Sequence, residues 1–419
     1  MSKNSNFKIL GSILMLLGTC LGSGMLALPL AAAKYNYATN FFYLLLSWAL
    51  MTTGAFAILE VHLWMPSGSN LFTMSQRTLG KYGNIFALIT YLLLLYALIS
   101  AYIAASADLF HGFVYVNYGI NFLPWQSALI VFTLLFIIIA FGIRIIDLTN
   151  RLLMFVKLSA FVVMLSLMLA HVDYNLLTTG SSHHYPISTF MVMNTAFGFA
   201  IILPSLRSYL EDNHKNLTMT LIIGCFIPLL LYTLWVLAVQ GLLPKDSENG
   251  LIRIANSTNP NSNLIQAIAS YSGLSLLITF SKIFISISAI TSFLGVGLCL
   301  VDFIRDIINN IYTIYFIYPS NTDKLSAKII KNFIIYALSF VIPLFVVLYN
   351  PGIFIKALSY AGILVLIFLV LLPLVMIYVG RYKLNYIGKK YLPFGKLAII
   401  FLICSTIILL AYSVNTMII

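Results

Sequence analysis

The stretch GTCLGSGMLA, residues 18–27, interrupts an apolar segment that runs from about Ile9 to Ala33. Gly22 and Gly24 flank Ser23 at what would be mid-bilayer depth, where glycine weakens the helix and backbone groups freed from the ladder find no water. Such a break is tolerated in a membrane only where it lines a cavity. Secondary transporters use broken helices of this kind to present helix ends and bare carbonyls to a substrate and its coupling ion.

Composition places the rest of the chain in a bilayer as well. Of 419 residues, 61% are hydrophobic and 8% charged, and the mean hydropathy is +1.01, more apolar surface than a soluble core hides. The apolar runs predict about eleven transmembrane helices, near 9–33, 39–63, 83–113, 124–143, 151–171, 188–210, 217–243, 272–303, 328–349, 353–379 and 394–417. No linker separates a soluble domain, so residues 1–419 are expected to form a single all-α membrane domain. Lys3 and Lys8 ahead of an apolar run resemble a signal peptide, but a run of about 25 residues is too long for one.

An odd number of spans puts the termini on opposite sides. With the N-terminus in the cytoplasm, eighteen of the twenty-three Lys and Arg lie at or near cytoplasmic ends, among them Arg144, Arg151, Lys324 and Lys328. Lys34, Lys245, Arg253 and Lys356 fall on the other side and Lys282 lies inside a span, so the positive-inside rule gives a cytoplasmic N-terminus and a periplasmic C-terminus. The net charge of +12 then reports topology rather than a nucleic-acid partner, since no soluble basic face carries it. Cys20, Cys225, Cys299 and Cys404 all sit in apolar runs, and His183-His184 lies in a polar loop. No metal-ligand spacing, nucleophile elbow or phosphate loop stands out, so neither a metal nor a cofactor nor an enzymatic reaction is expected.

A second interruption, NTAFGFAIILP, places Gly198 between Phe197 and Phe199 with Pro204 six residues on. Pro29 follows Gly24 by five in the first helix. Five helices per repeat would set the first and sixth helices antiparallel, with residues about 8–171 and 188–379 as inverted repeats and about 394–417 as an extra helix. The competing reading makes Gly24 and Gly198 close-packing points between helices.

GTCLGSGMLALPLAAA, WALMTTGAFAILEV, YALISAYIAASADL, NRLLMFVKLSAFVVML, FGFAIILPSL and TSFLGVGLCLVDF resemble the bacterial hydroxy and aromatic amino acid permeases of the amino acid/polyamine/organocation superfamily, and among them those for tyrosine. The resemblance implies a leucine-transporter-like 5+5 fold with broken helices 1 and 6, and proton-driven import of an aromatic amino acid across the bacterial inner membrane. A sodium-coupled or exchanging transporter, or a transporter-derived sensor or channel, is the alternative. One departure stands out: Ala200 follows the FGF where such permeases tend to carry histidine.

An amino acid presents a carboxylate and an ammonium. Backbone N–H groups of Ser23, Gly24 and Met25 suit the carboxylate, and carbonyls near Gly18, Thr19, Gly22 and the sixth-helix break at Gly198 suit the ammonium. Phe197, Phe199 and Tyr102 or Tyr96 are candidates to wall an aromatic side chain. Ionisable residues within spans are few. Lys157 either snorkels to the cytoplasm or, as the resemblance implies, stands where sodium-coupled relatives hold an ion, beside Thr291 and Ser292, and carries the proton. Glu60 and Asp302 are candidates for a gate or plain ion pairs near cytoplasmic helix ends. Asp108 and Lys282 are expected to pair with each other or reach the outer surface.

Overall fold

The computed structural model describes residues 3–66, 69–140, 143–181, 186–315 and 324–418. The His183-His184 loop lies outside the described residues, as do the side chains of Arg144, Arg151, Lys324 and Lys328. The helices in chain order are α1 Lys3–Cys20, α2 Ser23–Ala31, α3 Tyr37–Leu63, α4 Leu71–Tyr118, α5 Pro124–Ala140, α6 Ile143–Leu169 and α7 Tyr174–Thr178. They continue as α8 Ile187–Ala196, α9 Leu203–Tyr209, α10 His214–Leu242, α11 Leu251–Ala255 and α12 Pro260–Ser272. The last five are α13 Ser275–Tyr315, α14 Lys324–Tyr349, α15 Phe354–Leu366, α16 Leu372–Tyr382 and α17 Lys396–Ile418.

Among the described residues, nine helices are long and apolar enough to cross a membrane, and ten if the bent α1–α2 pair counts as one span. The eleventh expected crossing is α5, an apolar helix shorter than the others. Two regions add to those expected. An additional helical segment from Leu71 precedes the third expected span, and Gly80, at φ 75° and ψ −164°, kinks the chain between the two, so the span itself still begins after Gly80, near the expected 83. The loop after α10 contains α11 and α12, too short or too polar to register as apolar runs.

The chain's apolar surface sorts the helices by depth. Phe345, Ile408 and Phe401 on α14 and α17 remain exposed, as lipid-facing side chains do. The spans Ile187–Tyr209 and Phe354–Tyr382 are the most enclosed, 67% and 61% buried. Backbone approach makes that enclosure possible: a Cβ on Gly362 would lie 2.0 Å from the Met191 carbonyl oxygen, and one on Gly54 would lie 2.2 Å from that of Leu369. Leu369 has no donor at its i+4 position because that residue is Pro373, and the helix there widens into a π turn over Ile367–Leu371.

Breaking a helix in lipid leaves carbonyls that other side chains must satisfy. At the C-terminal end of α2, Asn40 Nδ2 and Gln240 Nε2 both donate to the Ala32 carbonyl at 3.1 Å. Lys245 Nζ, in the loop after α10, donates to Tyr35 O at 2.7 Å and to Thr179 O. The Lys245 side chain is buried, and desolvation lowers its pKa from 10.5 to about 8 against an opposing pull from Asp246. An unfolded chain keeps that proton up to about 10.5 while the folded chain sheds it from about 8, so this group's contribution to stability rises with pH across that window. Thermal unfolding in detergent is expected to show the rise, and Lys245→Met to lack it. A wild-type-minus-variant difference that is flat with pH would contradict a desolvated ammonium.

Candidate functional site

The chain bends by 51° between α1 and α2, with Leu21 and Gly22 outside both helices. Gly22 is extended, at φ −108° and ψ −166°, so the N–H of Ser23 points away from α1 and donates instead to Ser292 Oγ of α13 at 3.0 Å. A Cβ on Gly22 would sit 2.7 Å from that hydroxyl oxygen, so a side chain there would push the Ser292 hydroxyl off its place. Met25 N–H donates to Gly22 O at 3.1 Å, leaving Gly24 N–H as the free donor at the positive end of α2 among the described residues. Pro29 has no N–H for the Met25 carbonyl four residues back, and Trp235 Nε1 supplies that donor at 3.1 Å.

The second interruption is milder than the sequence suggests. Gly198–Ile202 form a 3₁₀ turn joining α8 to α9 within one 23-residue span, with no bend comparable to that of α1 and α2. Gly24 is a close-packing point: its Cβ position lies 3.3 Å from Ala196 Cα, so the start of α2 abuts the end of α8. Gly198 is half-buried, with only Val365 within 4 Å of its Cβ position.

Most of the expected site residues are brought together here. Ser23, Met25, Phe197 and Phe199 are buried, and the Tyr102 phenol approaches Ser23, whose hydroxyl oxygen has no hydrogen-bond partner. Phe197 packs on the Tyr232 ring at 4.9 Å. Ala200, in place of the histidine, is fully buried. The Thr19 side chain lies apart from them. It is exposed and donates its hydroxyl to Leu16 O, because α1 continues one residue past it to Cys20. The last carbonyl of α1, that of Cys20, accepts the Gly22 N–H at 2.8 Å and the Tyr232 hydroxyl at 2.7 Å. Tyr96 is also elsewhere, donating to Leu338 O on α14.

Lys157 does not snorkel. It is 1% exposed, makes no ion pair among the described residues, and donates to Thr291 Oγ1 at 3.2 Å. Thr291 and Ser292 are consecutive, so the lysine and the helix break bear on adjacent residues of α13.

The remaining charges resolve into separate roles. Glu60 meets Arg381 in a two-armed pair, 2.6 Å on each side, and also accepts the N–H groups of Tyr391 and Leu392. That pair joins α3 to α16 and holds the loop ahead of α17. Asp302 pairs three residues along its own helix with Arg305, partly exposed, and does not approach Glu60's pair. Asp108 and Lys282 are not partners: the Asp108 carboxylate accepts the N–H groups of Asn261 and Ser262 at the start of α12, while Lys282 is exposed.

A cavity of about 580 Å³ opens at the Ala31 end of α2, between α8, α11 and α15, and Lys34 and Lys356 are the charged residues on its wall. The opposite end is tied by Arg207, which bridges Asp212 to the His62 and Met65 carbonyls, and by the Glu60–Arg381 pair.

The sequence profile of the tryptophan/tyrosine permease family matches residues 5–413. The chain belongs to the tryptophan/tyrosine permease family. Tyrosine-specific transport system 1 of Haemophilus influenzae is 33% identical over 376 residues, covering 89% of this chain and 88% of the relative. Tyrosine-specific transport system 2 of the same organism is 31% identical over 379 residues, covering 89% and 87%. Glutamine transporter 2 of Aliivibrio fischeri is 29% identical over 383 residues, covering 90% of each. These relatives are transport systems, and this chain is a multi-pass membrane permease rather than an enzyme.

Sequence reasoning missed Tyr232, Trp235 and Arg381. The spacing of Tyr232 and Trp235, three apart on one face of an apolar helix, is the signal that would have found the first two. Two outcomes are expected. Glu60→Gln leaves the Arg381 charge buried against a neutral amide, and loss of a buried pair's partner costs roughly 3–5 kcal/mol, measurable as reduced thermal stability. With Cys299 and Cys404 replaced by serine, a membrane-impermeant thiol reagent should label Ser188→Cys and Ile355→Cys in the cavity ahead of Ser23→Cys at the break. Equal labelling would contradict a closed centre.

Proposed function

We propose that this permease imports an aromatic amino acid, tyrosine, by proton symport and alternating access, with Lys157 as the proton carrier. The observation that carries the reading is the pair of adjacent contacts on α13: Lys157 Nζ to Thr291 Oγ1 at 3.2 Å, and Ser23 N–H to Ser292 Oγ at 3.0 Å. A buried ammonium without a carboxylate is costly to hold. Protonated, it ties α6 to α13 beside the break; once the proton leaves, that tie weakens and the helix carrying Ser292 is free to shift.

The substrate carboxylate suits the Gly24 N–H at the positive end of α2, and its ammonium suits the electronegative C-terminal ends of α1 and α8. Phe197, Phe199 and Tyr102 supply apolar walls. Tyrosine as the substrate is supported by the two tyrosine-specific relatives, which are more similar to this chain than the glutamine transporter is. Two inverted repeats of five helices, residues about 8–171 and 188–379, would sit in a bacterial inner membrane with the N-terminus cytoplasmic. The distribution of Lys and Arg favours that orientation. The 580 Å³ cavity would then face outward.

The test is uptake of radiolabelled tyrosine into inside-alkaline proteoliposomes. Uptake is expected to collapse with a protonophore, to be competed by tryptophan and phenylalanine ahead of glutamine and serine, and to lose gradient-driven accumulation in Lys157→Ala. Sodium-dependent uptake, or accumulation by Lys157→Ala equal to wild type, would overturn the coupling mechanism. Preference for glutamine would overturn the substrate.

A further inference from the structure

The wall of the 580 Å³ cavity carries Lys34 and Lys356 and no carboxylate. Both side chains are exposed, and neither makes an ion pair among the described residues. Lys34 follows the end of α2, and Lys356 lies in the first turn of α15, so two separate elements bring the like charges to one space. A lysine in a first turn adds to the positive end of its helix, and α15 has no acidic residue there to offset it. Lys356 therefore opposes the helix it begins. Behind the wall, the buried Lys245 Nζ holds the carbonyl of Tyr35, itself a wall residue, at 2.7 Å. The acids of that loop stay off this wall: Asp246 is exposed, and Glu248 lines a separate cavity of about 510 Å³ with Arg253. A cleft lined by one sign of charge between low-dielectric walls focuses the field and concentrates ions of the opposite sign.

We propose that this cavity is a docking vestibule for small carboxylates, in which Lys34 and Lys356 receive the α-carboxylate of an incoming amino acid and turn away amino acids of net positive charge. The free Gly24 N–H stands at the other end of α2, about 10 Å away at 1.5 Å per residue. The lysines thus meet the carboxylate before the helix break does, and they select at entry rather than at the centre. A neutral amino acid enters carboxylate first, its ammonium trailing. A second ammonium on the side chain gains no matching partner and meets two like charges. The inference rests on reading the cavity as the approach to the break, but its primary readout needs no substrate.

The test labels Ser188→Cys, on the cavity wall, in detergent-purified protein with Cys299 and Cys404 replaced by serine. Two methanethiosulfonates are compared, one bearing a sulfonate and one a trimethylammonium, each rate divided by that for 2-mercaptoethanol. Any effect of the lysines on the thiol itself speeds both reagents alike and cancels in the ratio. The normalised anion-to-cation ratio is expected to be about tenfold at low salt and to fall toward one in 1 M salt, where the Debye length is about 3 Å. Lys34→Gln/Lys356→Gln should bring it to about one, and Lys34→Glu/Lys356→Glu should invert it. Were the Gln variant to misfold, the salt dependence and the Glu variant would decide. A ratio of about one in the protein with both lysines, or one unmoved by either double substitution, would overturn the proposal. In proteoliposomes, 3-(4-hydroxyphenyl)propionate should compete with tyrosine ahead of tyramine, and the Gln variant should lose that order. Equal competition before substitution would also overturn it. Absence of tyrosine uptake in every form would defeat the substrate reading, while the labelling ratio still judged the vestibule.

Discussion

A backbone polar group in lipid has no water to fall back on, and that constraint governs this protein from Leu21 outward. Once α1 stops at Cys20, the groups the break releases find partners within the bundle, the Gly24 N–H excepted. Ser292 takes the N–H of Ser23, Trp235 serves the Met25 carbonyl that Pro29 abandons, and Tyr232 bridges Cys20 and Ala196. Two of these partners stand on α10 and one on α13, so the broken helix dictates which helices surround it. Buried hydrogen bonds of this kind contribute modestly when made, but an orphaned buried group costs roughly 1–3 kcal/mol. The site is therefore also a packing solution.

The same constraint explains why the two breaks differ. Gly22, extended between two prolonged apolar helices, redirects the chain by 51°. Gly198 only tightens the helix into a 3₁₀ turn, with Leu203 N–H reaching back three residues to Ala200 O. Three-residue hydrogen bonding keeps the ladder nearly intact and releases fewer groups. A glycine marks where a helix can yield, while its neighbours decide how far.

Much of this architecture was legible from composition and local pattern. Apolar runs located the spans because bilayer thickness sets their length, and the first break was visible because glycine and serine contradict their surroundings. Contacts between distant residues were not legible. Nothing near Glu60 announces Arg381, 321 residues away, and nothing local assigns Asp108 to the start of α12. Lys157 illustrates the division. Its position in a span was plain, but whether its stem reached water depended on the neighbours of α6, and the structure buries it against Thr291. The Thr19 side chain turns outward one residue before the end of α1, a direction the local pattern did not fix, while its carbonyl stays in the last turn of that helix.

The glycine contacts along the enclosed span Phe354–Tyr382 carry a mechanical consequence. At Gly362 the helix touches the Met191 carbonyl of α8, and its Leu369 carbonyl touches Gly54 of α3. Backbone meets backbone at both points, so no side chain can rotate aside to absorb sliding. The six residues between them include the start of the π turn at Ile367, where the ladder is already loosened. Those two contacts act as clamps and the π turn as the compliant link between them. Relative motion of α3 and α8 is thereby converted into local winding and unwinding of a single helix.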